Sequence, residues 1–451
     1  MSRHLSPVQA ETDGALGPAE FLAMMAALGV WEPHPRLAVA VSGGSDSLAL
    51  AVLAQEWVRG RSGSLLSLIV DHGLRSNSAA EAEQVRGWLE TRGLAAVVLS
   101  ASARDRAAER GSIQERARRL RYRLLIERCI DAGIAHLLLA HHRDDQAETV
   151  LMRMVRGSGL RGMAAIAPVS LAPGSGGRVR LLRPLLAVSK ARLRATLEAV
   201  GQPWIEDPTN LDPSHERVRW RALMPLLAAA GADPQTIAAG AARMAEERAA
   251  LDRAAASWLA GAASPSRLGH VRVRLDDLAE LAQPVAEAAF VHLLGAVGGG
   301  AYPPRRESLR ALIESLRHRP GRLTRTLAGC VLSAGQSRLL ATREPAAVAE
   351  RVTARPGLIL WDGRFELCLE GPPARLRAVT IAGLGPGGLA ELRLRLRRLG
   401  APQPEAPARQ LQALPALWQG NRLMEVPHLP ELTDKSALAR VTWAPRQPLT
   451  G

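Results

Sequence analysis

Two glycines, three serines and an aspartate follow a short apolar run in the stretch VAVSGGSDSLAL, residues 39–50. Glycines after a strand let the backbone turn tightly and direct several N–H groups at one anion, and the helix that follows adds its positive N-terminal end. The loop contains no lysine for the outer phosphates of a nucleotide, so it suits a leaving pyrophosphate better than a transferred terminal phosphoryl group. A glycine-rich turn that only caps a helix is the alternative.

A second polar cluster, HHRDDQAET, starts at His141. Asp145 and Glu148 are three residues apart and share a helix face, so they could bind Mg²⁺ or an ammonium group. Asp46 is a further candidate for Mg²⁺, which prefers carboxylate and phosphate oxygens. The alternative for the cluster is an acidic helix start that interacts with the helix dipole. His141 and His142 are expected to pack in the wall of the site, because Mg²⁺ rarely binds imidazole and zinc would need further ligands.

Arginines form the third group of candidates. Arg118 and Arg121 are three apart on a predicted helix and could both stabilise negative charge on a phosphate; a solvated basic helix face is the alternative. The loop RGSGLRG (156–162) could contact nucleotide or RNA phosphate, or could simply end a helix at Gly157. A helix start rich in arginine, which includes Arg217, follows the turn-forming segment Asp-Pro-Thr-Asn.

The elements that must position these residues alternate between strand and helix. Apolar runs predict four strands, at 37–41, 65–70, 94–100 and 135–142. The basic segment 112–133 has helical spacing. This alternation predicts right-handed βαβ units around a parallel sheet, and hence an α/β domain over residues 37–225. The polar clusters Ser42–Ser47, Asp71–Arg75 and His141–Glu148 each follow a strand, which is where open parallel sheets bind ligands.

The rest of the chain differs from this domain in composition and in predicted secondary structure. Residues 1–36 form an N-terminal extension with one apolar helix. Alanine-rich helices and one short strand candidate predict a small, mainly helical domain over residues 226–330. Residues 331–451 mix short strand candidates with proline-rich turns, which predicts a third domain of mixed α+β structure.

The 451-residue chain has a formal net charge of +15 and an isoelectric point of about 11.2, which favours a polyanionic partner such as nucleic acid. Its only lysines are Lys190 and Lys435; a GC-rich coding sequence would explain the preference for arginine but not the excess charge. Three scattered cysteines argue against a disulfide framework or a structural zinc site. With no apolar run near the ~20 residues of a membrane span and no signal-peptide pattern, we expect a cytoplasmic protein.

The motif SGGSDS matches the SGGxDS signature of the PP-loop ATP-pyrophosphatases, a superfamily of adenine nucleotide alpha-hydrolase-like domains that cleave ATP between the α and β phosphates. Within it, the chain resembles the tRNA(Ile)-lysidine synthetase family. The resemblance runs through ordered blocks, which are VSGGSDSLAL, VDHGLR, QERARRLRY, LAHHRDDQAETVLMRMVRGSGLRGM, LLRPLL and EDPTN. The C-terminal stretch ARQLQALPALWQGNRLMEVPHL is similar to the last domain of longer family members.

The resemblance implies a two-step ligation that uses ATP and Mg²⁺. ATP activates the 2-carbonyl oxygen of the wobble cytidine in the CAU anticodon of tRNA(Ile), forming an adenylate. The ε-amine of free L-lysine then displaces AMP and produces lysidine. The resemblance also implies that the helical and C-terminal domains contact tRNA, and it leaves open whether the protein forms a homodimer.

The family's functional residues carry over to several positions of this sequence. The nucleotide-binding residues are Ser42, Gly43, Gly44, Ser45, Asp46 and Ser47. The catalytic residues are Asp46, Arg118, Asp145, Glu148 and Arg217, of which Asp46 and Asp145 also bind the metal. In one respect the chain departs from the family pattern. Val218 stands where the family usually has an asparagine after the arginine, and a valine side chain makes no hydrogen bonds.

Other functions remain as alternatives. A PP-loop tRNA thiolase would need a cysteine relay, but Cys129, the only cysteine of the α/β domain, is expected to lie in the core. An amidating enzyme would need a glutaminase region with a nucleophilic cysteine, and none is apparent. A non-catalytic RNA-binding protein is the alternative from a different class, and the intact SGGSDS motif and acidic cluster argue against it.

Overall fold

The computed structural model describes residues 14–71, 73, 77–101, 113–173, 175–206, 212, 214, 216–300, 302–318, 322–370, 373–429, 438–445 and 448–450. Contacts within the chain separate two units, Met1–Arg248 and Ala249–Gly451. All of the candidate site residues named above lie in the first unit. Among the described residues, none of the helices is long and apolar enough to cross a membrane.

The first unit alternates strands and helices. Its strands are β1 (Arg36–Val41), β2 (Ser64–Asp71), β3 (Ala95–Ser100), β4 (His136–Leu138), β5 (Val169–Leu171) and β6 (Arg180–Leu182). Its helices are α1 (Pro18–Ala27), α2 (Ser45–Arg59), α3 (Ser78–Thr91), α4 (Ile113–Asp131), α5 (Arg143–Val155), the single turn α6 (Leu160–Met163), α7 (Lys190–Ala199), α8 (Glu216–Ala229) and α9 (Pro234–Ala262), the last of which continues past residue 248.

The six strands form one sheet in the order β3-β2-β1-β4-β6-β5. β1 pairs in parallel with β2 on one side and with β4 on the other, while β5 runs antiparallel to β6. The strand order therefore reverses at β1, and such a reversal leaves a crevice at the carboxyl ends of the neighbouring strands. The prediction of an α/β domain built on a parallel sheet is confirmed.

Residues of β1 alternate between two apolar cores, one on each face of the sheet. Leu37, Val39 and Val41 pack in the core that α1, α2, α3 and α7 cover. Ala38 lies in the opposite core, together with Leu125 of α4. Burial of a leucine or valine side chain contributes about 1.5–3 kcal/mol, so β1 is held firmly from both sides. The end of β1 is thus a fixed point from which a site can be built.

The fourth strand differs most from its prediction, because β4 ends at Leu138 rather than near residue 142. The N–H of Leu139 still donates to the carbonyl of Leu182 at 2.9 Å, and the chain then leaves the sheet as His142 caps α5. The other three strands agree with their predicted ranges to within one residue at each end. Cys129 is fully buried, as predicted, and burial raises the pKa of its thiol to about 12.

In the part of the second unit that the structure describes, the strands form three antiparallel sheets. The five-stranded sheet β7-β8-β11-β10-β9 comprises β7 (Ala263–Pro265), β8 (Val271–Arg274), β9 (Leu323–Leu327), β10 (Cys330–Ala334) and β11 (Arg338–Arg343), and it packs with α10 (Gln283–Gly298) and α11 (Arg306–Arg317). The two smaller sheets, β12-β15-β16-β17 and β13-β14-β18, comprise β12 (Val352–Thr353), β13 (Gly357–Trp361), β14 (Phe365–Leu369), β15 (Val379–Gly383), β16 (Pro415–Gln419), β17 (Arg422–Glu425) and β18 (Ala439–Trp443), and they pack with α12 (Gly385–Arg398) and α13 (Ala408–Gln412).

Two observations bear on the expected division of the chain. Phe21 and Met25 of α1 lie in the same core as the parallel sheet, so this helix of the N-terminal extension packs with the α/β fold. The five-stranded sheet joins strands from both sides of residue 330, since Val271 of β8 is paired with Ala341 of β11. The division into four segments stays a prediction.

Candidate active site

The turn after β1 is held together by its own side chains. The Ser47 hydroxyl accepts from the Ser42 N–H at 3.1 Å and donates to the Gly44 carbonyl at 3.0 Å. The Ser45 hydroxyl donates to Asp46 Oδ1 at 3.1 Å. Gly44 is the N-cap of α2, so the first N–H groups of this helix face the turn and lack intrahelical acceptors. An anion in the turn would meet these N–H groups and the positive end of the helix.

Gly43 adopts a backbone conformation that other residues rarely reach, with φ at +85°. A Cβ atom at this position would lie 2.7 Å from Cγ2 of Val85 and 3.3 Å from Cδ1 of Ile205. Its carbonyl accepts from the Ile205 N–H at 2.9 Å, so a second chain segment closes on the turn. The glycine is therefore required by both dihedral angle and space.

A cavity of about 260 Å³ opens beside the turn, at the carboxyl ends of the parallel strands. The turn contributes polar groups to it, β2 and the segment that follows β4 contribute apolar side chains, and α4 contributes arginines. The lining residues include Ser42, Gly44, Asp46, Ser47, Ile69, Val70, Arg118, Arg121, Tyr122, Leu139 and His141. An apolar floor beside a turn that presents the N–H groups of a helix start is suited to a nucleotide base and its phosphates.

Arg118 and Arg121 both line this cavity, so the structure brings the two arginines to the same wall as the turn. The Arg118 guanidinium carbon lies 5.2 Å from the centre of the Tyr122 ring, within the range of a cation–π contact. Arg183, which the sequence did not single out, is buried nearby and donates to the Ala167 carbonyl at 2.9 Å. Burial lowers the pKa of Arg183, although Tyr122 opposes this shift.

His142 joins the turn to the acidic cluster. Its Nε2 lies 3.5 Å from Asp46 Oδ2 and 3.7 Å from Asp145 Oδ2, and its Nδ1 lies 3.2 Å from Asp144 Oδ2. The Asp144 N–H is also 3.3 Å from Nδ1, which would suit a neutral ring, but carboxylates at both nitrogens favour the imidazolium form. Burial would lower the pKa of His142, yet its hydrogen bonds to Asp144 and Asp46 raise it to about 10. His142 is thus a buried cation rather than only part of the wall.

Glu148 is completely buried and is paired with an arginine that sequence reasoning missed. Its carboxylate accepts from Arg221 Nε and lies 3.4 Å from Arg221 Nη2. Arg217 approaches less closely, with Nη1 3.8 Å from Asp145 Oδ1 and Nε 4.0 Å from Glu148 Oε2. Burial raises the pKa of Glu148 even though Arg221 opposes the shift. The i,i+4 spacing of Arg217 and Arg221 was the available signal for the second arginine.

His141 lines the cavity and lies three residues after the end of β4. Its Nδ1 is buried and has no hydrogen-bond partner among the described residues. Burial lowers the pKa of His141 to about 4, although the Asp145 carboxylate acts in the opposite direction. The two adjacent histidines therefore differ in charge at neutral pH: His141 is neutral and His142 is protonated.

Lys190 is a further residue that sequence reasoning missed. Its Nζ lies 3.7 Å from Asp46 Oδ2, so a lysine stands beside the turn although the turn contains none. Burial would raise the pKa of Asp46, but the hydrogen bond and charge of His142, together with the charge of Lys190, lower it. No spacing rule links positions 46 and 190, because the contact depends on the fold.

The carboxylates of the site fit Mg²⁺ that arrives with phosphates. The described residues include no group of three or more His, Cys, Asp or Glu side chains that could hold a metal ion by themselves. Mg²⁺ usually needs only one or two carboxylates when phosphate oxygens and water complete its shell. Asp46 and Asp145 both face His142 Nε2, and the side chain of Asp46 is 26% exposed beside the cavity.

Parts of the other predicted blocks lie outside the described residues, namely 72, 74 and 75 of the second block and 207–211, 213 and 215 after Glu206. Asp71 itself accepts from the Gly73 N–H at 2.9 Å and from the Ser78 hydroxyl at 2.7 Å. In the loop 156–162, Gly157 has φ of +66° and follows the end of α5, as expected where a helix terminates. A phosphate contact by this loop stays a prediction.

Residues 19–227 match the family model of the PP-loop domain, which defines the first unit as an ATP-binding domain of that class. Three relatives are each described as a tRNA(Ile)-lysidine synthase. The protein from Ruegeria pomeroyi is 37% identical over 88% of this chain and 89% of its own length. Those from Bradyrhizobium sp. and Rhodopseudomonas palustris are 45% and 40% identical, over 65% and 70% of this chain and 80% and 92% of theirs. The chain belongs to the tRNA(Ile)-lysidine synthase family.

One solved structure with a similar fold is the U34-tRNA thiolase NcsA from Methanococcus maripaludis. It has a TM-score of 0.42 and 19% sequence identity, and the match covers 50% of this chain and 78% of that chain. A likeness of this extent has no bearing on the activity of the chain.

Proposed function

We propose that the protein is an ATP-dependent ligase that joins L-lysine to the 2-position of the wobble cytidine in the CAU anticodon of tRNA(Ile). Membership of the family supports the class of reaction and the tRNA substrate. The observation that carries the proposal is the position of His142, which contacts Asp46 of the phosphate-binding turn and Asp145 of the acidic cluster. A nucleotide site and a site for an ammonium group therefore share one crevice.

In the first step the 2-carbonyl oxygen of cytidine attacks the α-phosphorus of ATP, and the bond to the β-phosphate oxygen breaks to release pyrophosphate. The turn Ser42–Ser47 holds the phosphates through its N–H groups, and Arg118 stabilises the charge that builds up at the α-phosphate. Mg²⁺, which Asp46 and Asp145 would hold, neutralises phosphate charge when bound. The apolar floor formed by Ile69 and Leu139 accommodates the adenine.

In the second step the ε-amine of lysine attacks C2 of the cytidine, AMP leaves and the amine loses a proton. Asp145 attracts the amino groups of lysine, while the completely buried Glu148 pairs with Arg221 and acts on them through its charge. Arg217 makes only long contacts of 3.8 and 4.0 Å to these carboxylates and is 39% exposed, so it can turn to the lysine carboxylate. Val218 leaves this arginine without the hydrogen-bonding neighbour that the family usually places there.

Incorporation of labelled lysine is the direct test. Purified protein with ATP, Mg²⁺, labelled lysine and a transcribed CAU-anticodon tRNA(Ile) should incorporate label and release AMP in equal amounts. A tRNA of the same sequence with its wobble cytidine replaced by uridine is the matched control and should remain unlabelled. Binding of tRNA without any AMP release would favour the alternative of a non-catalytic RNA-binding protein. We place the reaction in the cytoplasm, where free L-lysine, ATP and tRNA are available.

A further inference from the structure

A lysine stands beside the phosphate-binding turn, although it comes from a distant part of the chain. Lys190 is the first residue of α7, and its Nζ lies 3.7 Å from Asp46 Oδ2. The two steps of the proposed ligation assign no role to this ammonium group. Its position raises the question of what it binds when a nucleotide occupies the turn.

The backbone fixes Lys190 relative to the acidic cluster. Its N–H donates to Asp144 Oδ2 at 2.9 Å, and the preceding Ser189 caps α7 by accepting from the Arg192 N–H. One residue earlier, the Val188 carbonyl accepts from the Arg143 N–H at 2.9 Å. The start of α7 is therefore tied to the start of α5, and the lysine side chain extends towards the turn from a rigid base.

Asp46 does not use the hydrogen-bonding capacity of this lysine. The Asp46 carboxylate has Ser45 and His142 as its hydrogen-bond partners, while Lys190 acts on it through charge alone. A separation of 3.7 Å is beyond hydrogen-bond length, and an ammonium group has three protons to donate. The Lys190 side chain is 35% exposed, so an incoming anion can reach it.

We propose that Lys190 binds the β- and γ-phosphates of ATP and the pyrophosphate that leaves, so that α7 supplies the cation that the turn lacks. The charges support this assignment. Asp46, Asp144 and Asp145 surround His142, and their negative charge opposes an approaching polyphosphate unless cations meet it directly. Arg118 and Arg121 line the cavity, and Lys190 is a cation that lies beside Asp46 of the turn. The ammonium group of a lysine is compact and binds phosphate oxygens as a point charge. Only two of the chain's 58 basic residues are lysines, and one of them occupies this position.

This inference rests on the proposed ligation, but its test is pyrophosphate binding, which requires no tRNA and no lysine. The dissociation constant of inorganic pyrophosphate would be measured by calorimetry in EDTA for the full chain and for Lys190→Met and Lys190→Arg. Loss of one charge-assisted contact should weaken binding about tenfold to a hundredfold in Lys190→Met, while Lys190→Arg should stay within about threefold of the parent protein. The same order should appear in the rate of AMP release.

Arg59→Met is the matched control, because it removes one positive charge from the far end of α2, about 20 Å from the turn. It should leave pyrophosphate affinity unchanged, and the thermal midpoints of all variants should agree. Unchanged affinity in Lys190→Met would overturn the proposal, as would equal losses in Lys190→Met and Lys190→Arg, which would indicate a structural role. If the parent protein fails to ligate lysine while Lys190→Met still weakens pyrophosphate binding, the ligase function is wrong and the lysine assignment stands.

Discussion

Asp46 is held ionised by its neighbours. Its carboxylate accepts from the Ser45 hydroxyl and faces two cations, His142 and Lys190, so its pKa is lowered although burial acts in the opposite direction. A group with a lowered pKa carries its charge throughout the neutral range. Asp46 is therefore available at neutral pH as a ligand for a cation that accompanies the phosphates.

Replacing Asp46 with Asn should abolish AMP release, with a rate loss of at least about a hundredfold, because the charge that holds the metal is removed. The affinity for tRNA should change less than threefold, since the tRNA contacts are expected to lie mainly outside this residue. The measurement is ATP turnover with saturating tRNA and lysine, beside a filter-binding titration of tRNA. Unchanged turnover would remove Asp46 from the site.

Arg221 is expected to stabilise the fold as well as the site, because Glu148 is completely buried beside it. Arg221→Met leaves a buried carboxylate without its closest partner, which should cost about 3 kcal/mol and lower the thermal midpoint by about 5 °C or more. Adding Glu148→Gln should restore much of the loss. Arg219→Met is the control, because Arg219 is exposed and lies on the same helix. An equal fall of the thermal midpoint in Arg219→Met would show that the loss in Arg221→Met does not come from the unpaired Glu148 carboxylate.

At the scale of elements, the site depends on three elements that meet at one crevice. β1 and β4 end there, and α7 begins there. β1 and β4 are neighbours in the sheet, with Leu37 paired with His136 and Val39 paired with Leu138. Their continuations therefore bring Ser42 and His141 to the same edge. The short β4 matters here, because the chain must leave the sheet early for His142 to cap α5 and reach Asp46.

The turn between β1 and α2 should tolerate no side chain at Gly43. Gly43→Ala combines a φ of +85° with a Cβ contact of 2.7 Å to Val85, and we expect a strain of about 1–3 kcal/mol and an ATP affinity reduced at least tenfold. Isothermal titration with ATP and a thermal melt measure the two effects.

Gly60→Ala is the control for this prediction. Gly60 ends the same helix with φ of −62°, and its Cβ would meet its closest atom at an ordinary distance of 3.7 Å. This variant should bind ATP as the parent protein does. If the two alanine variants had the same ATP affinity and the same thermal midpoint, the turn would not require a glycine at position 43.

At the scale of the whole molecule, charge is distributed unevenly between the two units. Residues 249–451 carry 27 basic and 17 acidic side chains, a net charge of +10 out of the total of +15. On α12, Arg393, Arg397 and Arg398 are exposed. This distribution supports a role for the second unit in binding the tRNA backbone.

The affinity for tRNA(Ile) should therefore fall steeply with salt, by at least about tenfold between 50 and 200 mM, because phosphate contacts release counterions. Substituting both Arg393 and Arg397 by glutamine should weaken tRNA binding and reduce the slope of affinity against salt concentration. Fluorescence anisotropy with labelled tRNA measures both, and a thermal melt at each salt concentration controls for unfolding. A salt-independent affinity would refute binding through phosphates.

Local pattern was enough to predict the parallel sheet, the glycine turn and the acidic cluster. Alternation of apolar runs with helical segments reports the βαβ fold, and polar residues at strand ends report the edge that binds ligands. Arg118, Arg121, Asp145 and Glu148 could be selected in the same way, because each belongs to a short segment with its own spacing.

Only the tertiary structure decided the partners across the crevice. α5 and α7 start at the same edge of the sheet as the turn. Lys190 therefore lies beside Asp46, and the protonated His142 lies among three carboxylates. The sequence contains these residues but does not give the distances between them or their burial. Distance and burial determine the pKa of each group and therefore its charge. The lysine that appeared to be missing from the turn is thus present in the folded site, on a helix that follows the turn by more than a hundred residues.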